Sequence, residues 1–287
     1  MAHLIQVGAG SGGMPVLDML CRDPRVTRVT LIEPDVYKPH NVERHVFAPS
    51  GIGEPKAELA VAWLKERRSD LDVRILACDL LDPASQLAIE EAIAPADVGV
   101  CAADSEVAKY QWDLLMRKHS KPWTLGEVLS GGIGGFVHWF TPGGPCYGCV
   151  AGRLNREAPQ EKAPAPDYSQ PGGAVADVTV PASMASIHAI ASLHALLTLQ
   201  IFNFRLHIAD GEPIENLQSK IENHLGFTSL LLALQKVDDV FDEAFRPYRF
   251  RIARATDCLI CRPRPTPSSS EDLDVALDQA LARLGDA

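Results

Sequence analysis

A glycine-rich turn near the start of the chain has the composition of a phosphate-binding loop. Gly8, Gly10, Gly12 and Gly13 lie in the run Gly8-Ala9-Gly10-Ser11-Gly12-Gly13, which has the spacing G-x-G-x-x-G. An apolar run precedes it and a helical pattern follows, so the N–H groups at the start of the helix can receive phosphate oxygens. A chance glycine turn is the alternative, but the strand–loop–helix setting favours a nucleotide site.

An acidic residue follows the second apolar run. Glu33 ends the segment Val29–Ile32 and comes about twenty residues after the glycine loop, where a carboxylate can accept hydrogen bonds from ribose hydroxyls. Taken alone, this pair of features would favour an NAD enzyme.

Three polar side chains beyond this point favour ATP over NAD. Asn41, Arg44 and Lys56 follow Glu33 and are expected just beyond the carboxyl ends of the strands, where open α/β sheets bind ligands. Hydride transfer gains little from two cations, whereas nucleotidyl transfer builds charge on phosphate oxygens that Arg and Lys stabilise. Each cation taken singly could be solvated surface; their shared position after the acidic residue indicates a phosphate site.

Two Cys-x-x-Cys pairs suggest a metal site. Cys146 with Cys149, and Cys258 with Cys261, each have the spacing of half a tetrahedral zinc site. A redox pair is the alternative for either one, but two pairs together favour a closed structural zinc knuckle with four cysteine ligands, which ties the C-terminal region to the domain. The other cysteines lie in or beside predicted core segments and are interpreted as buried thiols: Cys21, Cys78 and Cys101.

The elements that must position these residues alternate along the first half of the chain. Strand-like and helical runs follow one another, which predicts an α/β fold with a Rossmann-like doubly wound sheet and helices on both faces. Two later strand-like runs have no helix between them, so the parallel first half is expected to be extended by antiparallel strands. The predicted strands are Leu4–Val7, Val29–Ile32, Val73–Leu76, Val98–Cys101, Trp123–Val128 and Gly135–Thr141; the predicted helices are Met14–Leu20, Lys56–Glu66, Gln86–Ala92, Val107–Lys118 and a long one from Pro181 to Phe204.

The organisation predicted from this pattern is a domain over residues 1–261 that carries the nucleotide and zinc sites. A Pro- and Ser-rich linker and a short C-terminal helix make up residues 262–287.

Together these motifs resemble the ThiF/MoeB family, the bacterial relatives of ubiquitin-activating enzymes. In that family the glycine loop is followed by an acidic-x-Asp pair, Asn-x-x-Arg-Gln, Gly-x-x-Lys and an Asp after the fourth strand. The matching positions here are Glu33 with Asp35, Asn41 with Arg44, Lys56, and Asp104. The resemblance runs from Leu4 to Cys261 and includes the first cysteine pair.

The resemblance implies ATP-dependent adenylation of the C-terminal carboxylate of a ubiquitin-like protein, with release of pyrophosphate. Glu33 would hold the ribose, and Asn41, Arg44 and Lys56 would hold and polarise the phosphates. Asp104 would position Mg²⁺, which typically takes one or two carboxylates plus phosphate oxygens. Arg44, Lys56 and Asp104 are the expected catalytic residues. A homodimer formed through the long helix is also implied, as is a downstream conjugating or sulfur-transfer partner.

The sequence departs from the family pattern in several features. Relatives often have an N-terminal helix that supplies an arginine to the neighbouring subunit's ATP site; this sequence starts at the first strand, so that arginine is expected to be missing or replaced by Arg153 or Arg156. The loop from Arg153 to Asp177 lacks the cysteine that many members use for a covalent intermediate. His45 stands where the family has Gln and is a candidate phosphate contact, and Lys109 stands where the family often has Arg. Adenylation of a peptide or a small carboxylate therefore stays open, as does a non-catalytic nucleotide-binding partner subunit. An NAD-dependent oxidoreductase is the least favoured interpretation.

The composition limits which classes of partner and which cellular compartment we expect. The 287 residues carry a net charge of -10, which argues against nucleic acid as a partner. The longest apolar stretch, from Val180 to Phe202, contains serines and histidines, so a buried helix is expected rather than a membrane span. The chain opens on a strand-like run without a charged leader, and its cysteine pairs suit a reducing compartment. A cytoplasmic protein is expected.

Overall fold

A computed structural model describes residues 2–154, 182–207 and 215–261 of the chain. The strands of this part form one eight-stranded sheet with the order β3-β2-β1-β4-β5-β6-β7-β8. Their bounds are Ala2–Val7 (β1), Val26–Ile32 (β2), Asp72–Leu76 (β3), Val98–Cys101 (β4), Trp123–Val128 (β5), Gly134–Phe140 (β6), Ser229–Ala233 (β7) and Pro247–Phe250 (β8).

Helices connect the strands and cover both faces of the sheet. Most of them follow an amphipathic pattern: in the fourth helix, Ala108, Trp112, Leu115 and Met116 are buried on one side at helical spacing. The helices are Gly13–Cys21 (α1), Lys56–Arg67 (α2), Gln86–Ile93 (α3), Glu106–Lys118 (α4), Tyr147–Arg153 (α5), Met184–His207 (α6) and Glu215–Leu225 (α7).

The first five strands form the predicted parallel half of the sheet. β1 pairs in parallel with both β2 and β4, β2 with β3, and β4 with β5. The direction of the strand order reverses between β1 and β4, so the carboxyl ends of these two strands open a crevice between their following loops. The glycine loop follows β1 and Asp104 follows β4, so these two parts of the predicted nucleotide site come from the strands on either side of this crevice.

The remaining strands extend the sheet in antiparallel fashion, as predicted. Trp123 of β5 pairs with Phe140 of β6, and the same hairpin ends with Val128 opposite Gly135. β7 and β8 continue the antiparallel pairing. These two strands, together with α5 and α7, were not predicted from the sequence.

Two hydrophobic clusters pack on the two sides of the sheet. One contains buried residues of α1, α2, α6 and α7, and the other contains those of α3, α4 and α5. The alternation of side chains along β5 and β6 explains this division, because Trp123 and Leu125 face α4 whereas Thr124 bonds to His194 of α6.

Helix α6 is long and apolar enough to cross a membrane by length and composition, and half of its most apolar stretch is buried. It packs against α1, β5 and β6. Thr124 Oγ1 lies 3.0 Å from His194 Nε2 and 2.7 Å from Thr198 Oγ1, so the polar residues of α6 are used inside the fold. These contacts are those of a core helix, as expected.

Some predictions fall outside the described residues. The linker and C-terminal helix predicted at 262–287 lie there, as do residues 155–177 of the cysteine-free loop that was predicted from Arg153 to Asp177. Arg153, the first residue of that predicted loop, is instead the last residue of α5, and α6 begins at Met184 rather than at Pro181.

Candidate functional site

The glycine loop fits closely against the loop that follows β4. A Cβ at Gly8, where φ is +93°, would lie 2.6 Å from the carbonyl oxygen of Ala102, and one at Gly13 would lie 2.4 Å from that of Gly8. Both positions therefore require glycine. A Cβ at Gly10 would meet nothing within 4 Å, and one at Gly12 would meet only Ile187, at 3.8 Å. The outer part of the loop thus leaves open space in front of it.

Glu33 lies directly beneath this loop, just after the end of β2. Its carboxylate accepts the N–H of Ala9 at 2.5 Å and the N–H of Asp35 at 2.9 Å. The side chain is buried, and burial raises the pKa of the carboxyl, against the opposing effect of Lys56 and the two N–H donors. A carboxylate offers about four lone-pair sites, so Glu33 retains acceptor capacity for a further hydroxyl.

Asp35 and Lys56 form an ion pair at the same edge of the sheet. Lys56 Nζ lies 2.8 Å from Asp35 Oδ2, and the Lys56 N–H donates to the Asp35 carbonyl at 2.8 Å. The lysine side chain is only 9% exposed, whereas the aspartate is 60% exposed. The structure thus brings these two predicted residues together, with the cation directed into the site by the start of α2.

Asn41 and Arg44 lie on a short turn between β2 and α2. The Asn41 Oδ1 accepts the N–H of Lys38 at 3.0 Å, and Arg44 Nη1 donates to the carbonyl of His40 at 3.1 Å. Both contacts lie within the turn itself. The structure therefore places these residues on the predicted segment, and their roles toward phosphate stay predictions.

The expectation that His45 contacts phosphate is not met in this structure. The ring is 4% exposed, and both of its nitrogens bond to the protein backbone, one of them to the carbonyl of Ala9 at 2.9 Å. The ring supports the glycine loop from below, because it packs between Tyr37 and Phe47.

Asp104 is exposed between β4 and α4. The residue after it, Ser105, accepts the N–H of Ala108 at 3.4 Å and caps α4, which fixes where the helix begins. The backbone of Ala102 lies against Gly8, so Asp104 is two residues along the chain from the segment that contacts the glycine loop. This position suits a carboxylate that is directed at a bound ligand.

A buried polar chain next to Asp104 was not predicted from the sequence. Lys109 Nζ lies 2.6 Å from both Glu106 Oε1 and Glu127 Oε1. The other Glu127 oxygen is 3.1 Å from His138 Nε2, and His138 Nδ1 is 2.7 Å from Ser229 Oγ. Although Ser, His and Glu form a chain, both Ser229 and His138 are fully buried, so it stabilises the interior rather than presenting a nucleophile. The residues of this polar chain are spread from Glu106 to Ser229 and form no sequence motif, so the chain could not be predicted.

The four cysteines of the two Cys-x-x-Cys pairs come together, as predicted. Their Sγ atoms all lie within 4.8 Å of one another, and three of the separations are 3.5–3.6 Å. Sulfurs around a tetrahedral zinc with bonds of about 2.3 Å lie about 3.8 Å apart, so the cluster fits such an ion. The cluster comprises Cys146, Cys149, Cys258 and Cys261.

The remaining cysteines take no part in this cluster. Burial raises the pKa of Cys21 and of Cys101 to about 12, so both thiols stay protonated at neutral pH. Cys78 is half-buried and packs beside the α3–α4 cluster. The interpretation of Cys21 and Cys101 as buried thiols is confirmed.

Comparisons with known proteins found a matching family and several similar proteins. The sequence model of the ThiF family matches residues 2–227. The SAMP-activating enzyme E1 of Haloferax volcanii is 28% identical over 172 residues, which are 60% of this chain and 59% of that protein.

Two solved structures of MccB resemble the fold, the first of them from E. coli. The complex with ATP has a TM-score of 0.60 and 17% identity, covering 91% of this chain and 66% of the MccB chain. The complex of this microcin C7 biosynthetic enzyme with N-formylated MccA has a TM-score of 0.63 and 17% identity, covering 91% and 67%. The chain thus spans only part of these relatives, 59% of the Haloferax protein and 66% of MccB.

Proposed function

The chain belongs to the ThiF family, and on that basis we propose that it is an ATP-dependent adenylyltransferase that activates the C-terminal carboxylate of a ubiquitin-like protein or peptide. One observation supports the proposal: the glycine loop rests on the buried Glu33, and this loop, the Asp35–Lys56 pair and the exposed Asp104 follow the carboxyl ends of the neighbouring parallel strands β1, β2 and β4. Two similar proteins support the substrate class, since one is described as SAMP-activating and the other was solved with ATP and with MccA.

In this proposal the glycine loop and Glu33 bind the nucleotide. The open space before Gly10 receives phosphate oxygens on backbone N–H groups at the start of α1. Glu33 has two protein donors and accepts a ribose hydroxyl through its remaining lone pairs. Its burial favours this role, because a hydrogen bond to a desolvated carboxylate is strong.

Lys56, Arg44 and Asn41 bind the phosphates. Lys56 is already held at the site by Asp35, so little side-chain entropy is lost when it turns to a phosphate oxygen. Arg44 and Asn41 lie on the turn that is tied to the glycine loop through His45. An oxygen of the substrate carboxylate attacks the α-phosphorus, forms the acyl-adenylate and displaces pyrophosphate. The two cations stabilise the charge that builds on the phosphate oxygens.

Asp104 is the residue that would hold Mg²⁺. An exposed carboxylate close in the chain to a phosphate-binding loop is the donor that this ion prefers, since Mg²⁺ keeps waters and takes one or two carboxylates besides the phosphates. The ion would neutralise phosphate charge. For this role Asp104 needs only to be directed at the crevice, and the cap at Ser105 fixes the backbone beside it.

The cysteine cluster would hold a structural zinc ion. Four thiolates leave no open coordination position, so the ion would cross-link α5 to residues 258–261 and take no part in the reaction. The N–H of Ala255 reaches the Cys149 sulfur at 3.4 Å, as expected of a donor that steadies a metal thiolate.

The experiment that tests the function is partner-dependent exchange of pyrophosphate into ATP. We expect exchange with a ubiquitin-like protein or peptide that has a free C-terminus, and its loss in Asp104→Asn and Arg44→Met. Asp72→Asn is the matched control, because Asp72 is exposed and pairs with Arg28 at the other end of the sheet strands. Tight ATP binding without exchange for any carboxylate would point instead to a non-catalytic partner subunit, and binding of NAD alone would contradict the proposal.

A further inference from the structure

Both backbone polar groups of Ala9 are held by side chains from other segments. The N–H donates to Glu33 Oε2 at 2.5 Å, and the carbonyl lies 2.9 Å from His45 Nε2. Ala9 is fully buried, so water does not compete for either group. The second residue of the glycine loop is therefore fixed on both sides.

The contacts of His45 determine which of its nitrogens carries the proton. The N–H of Phe47 points at Nδ1 at 3.3 Å, so Nδ1 accepts and Nε2 must donate to the Ala9 carbonyl. The ring is neutral in this arrangement. Burial first, then the nearby cations Lys56 and Arg44, lower the pKa of His45 to about 4, which keeps it neutral at physiological pH.

The bond to Ala9 sets the direction of the next N–H group. The carbonyl of Ala9 and the N–H of Gly10 belong to one trans peptide unit and point in opposite directions. Because His45 holds the carbonyl on the protein side, the Gly10 N–H faces away from His45. Space in front of Gly10 is open, and no hydrogen bond among the described residues uses its N–H.

We propose that His45 is a positioning residue that, through the Ala9 carbonyl, directs the Gly10 N–H at a nucleotide phosphate. This rests on the proposed function, since the phosphate belongs to the nucleotide that the site would bind. The role differs from a direct phosphate contact, because both ring nitrogens are already bonded to the backbone. Tyr37 strengthens the support: its ring packs on His45, and its hydroxyl donates to the Phe47 carbonyl at 2.9 Å.

Two substitutions separate this role from simple packing. In His45→Gln the side-chain amide nitrogen can reach the position of Nε2, whereas in His45→Asn it reaches only the position of Nδ1. We expect His45→Gln to bind Mg·ATP within about threefold of the unsubstituted protein. His45→Asn should bind about tenfold more weakly, the effect of one lost hydrogen bond of about 1.4 kcal/mol. The KM for ATP in pyrophosphate exchange should rise similarly, with kcat changed much less.

Calorimetric titration of each full-length variant with Mg·ATP provides the measurement, and thermal melting checks the fold. Leu71→Ala is the destabilised control, because Leu71 is buried near the start of β3 and should lower the melting temperature without weakening ATP binding. Equal weakening in His45→Gln and His45→Asn, or none in His45→Asn, would overturn the positioning role. Failure of the unsubstituted protein to bind Mg·ATP would instead refute the proposed function, and the inference with it.

Discussion

The hydroxyl of Tyr147 donates a hydrogen bond to Glu106 Oε2 at 2.7 Å. Tyr147 comes directly after Cys146, which is one of the four clustered cysteines. Glu106 lies in the first turn of α4, two residues after Asp104. The other Glu106 oxygen pairs with Lys109. One side chain therefore connects the metal-binding segment to the loop that carries the proposed Mg²⁺ ligand.

Removing this hydroxyl should loosen the start of α4. We expect Tyr147→Phe to lower the free energy of unfolding by about 1–2 kcal/mol, since a hydrogen bond to a carboxylate is lost while the ring still packs on Tyr110. Denaturant unfolding measures this change, and hydrogen exchange should speed up at the amides of Ala108 and Lys109, which bond to Ser105 at the start of the helix. Tyr248→Phe, on the half-exposed edge strand β8, is the matched control. Unchanged exchange in α4 would contradict the connection.

Zinc removal should destabilise the region around the second cysteine pair. The purified chain is expected to hold one zinc ion, because four sulfurs at these separations form a closed site. Chelation, or Cys258→Ser, should lower the melting temperature by about 5–10 °C, the effect of a few kcal/mol in a domain of this size. Elemental analysis and thermal melting are the measurements.

Cys78→Ser is the control for the zinc experiment, because that thiol lies outside the cluster and should leave the metal content unchanged. A chain that contains disulfides and no zinc would instead support the redox interpretation of the Cys-x-x-Cys pairs.

Lys109 should be needed for the stability of the interior. It is buried between Glu106 and Glu127, and these carboxylates raise its pKa despite the opposing effect of burial. Lys109→Met would leave Glu127 without its cation, so we expect a loss of about 3–5 kcal/mol in denaturant unfolding. The double variant Lys109→Met/Glu127→Gln should recover part of this loss, because the uncompensated charge is gone. No recovery would indicate that packing of the lysine stem dominates.

The parallel half of the fold was predictable because its signals are local. Each of its strands is a short apolar run next to a helical pattern, and β4 was predicted with its observed bounds, Val98–Cys101. β7 and β8 were missed for a physical reason. They come after the long helix and are stabilised by pairing that starts from β6, about ninety residues earlier in the chain, which no local pattern reveals.

The candidate site was predictable where glycine and cysteine spacing has a direct geometric cause. A Cβ at Gly8 or Gly13 would lie 2.6 or 2.4 Å from a backbone carbonyl oxygen, so neither position can carry a side chain. The cysteine pairs likewise meet in one cluster. The direction of a side chain is set by tertiary contacts instead. His45 could be placed near the loop from its position in the motif, but its turn beneath Ala9 depends on packing against Tyr37 and Phe47.

The hydrogen bond between His45 and the Ala9 carbonyl should make the stability of the chain sensitive to acid. The folded protein holds His45 neutral, with a pKa of about 4 against an ordinary value of 6.5, because of burial and then the charges of Lys56 and Arg44, opposed by the Ala9 carbonyl. Across the loop, Glu33 faces the other side of Ala9. His194 has a similarly lowered pKa of about 4, from burial first and then from His138.

Comparison of the unsubstituted chain with His45→Gln isolates the contribution of this one ring. Between pH 6.5 and 4 the unfolded chain binds a proton at His45 that the folded chain does not, so stability is full above 6.5 and is lost as the pH falls. Over this window we expect the unsubstituted chain to lose about 3 kcal/mol of unfolding free energy relative to His45→Gln, at about 1.36 kcal/mol per pKa unit. Denaturant unfolding at a series of pH values measures it, and the contribution of His194 cancels because both proteins retain it. A difference that stays constant from pH 7 to 4 would mean that His45 titrates normally and does not hold the Ala9 carbonyl in the neutral form.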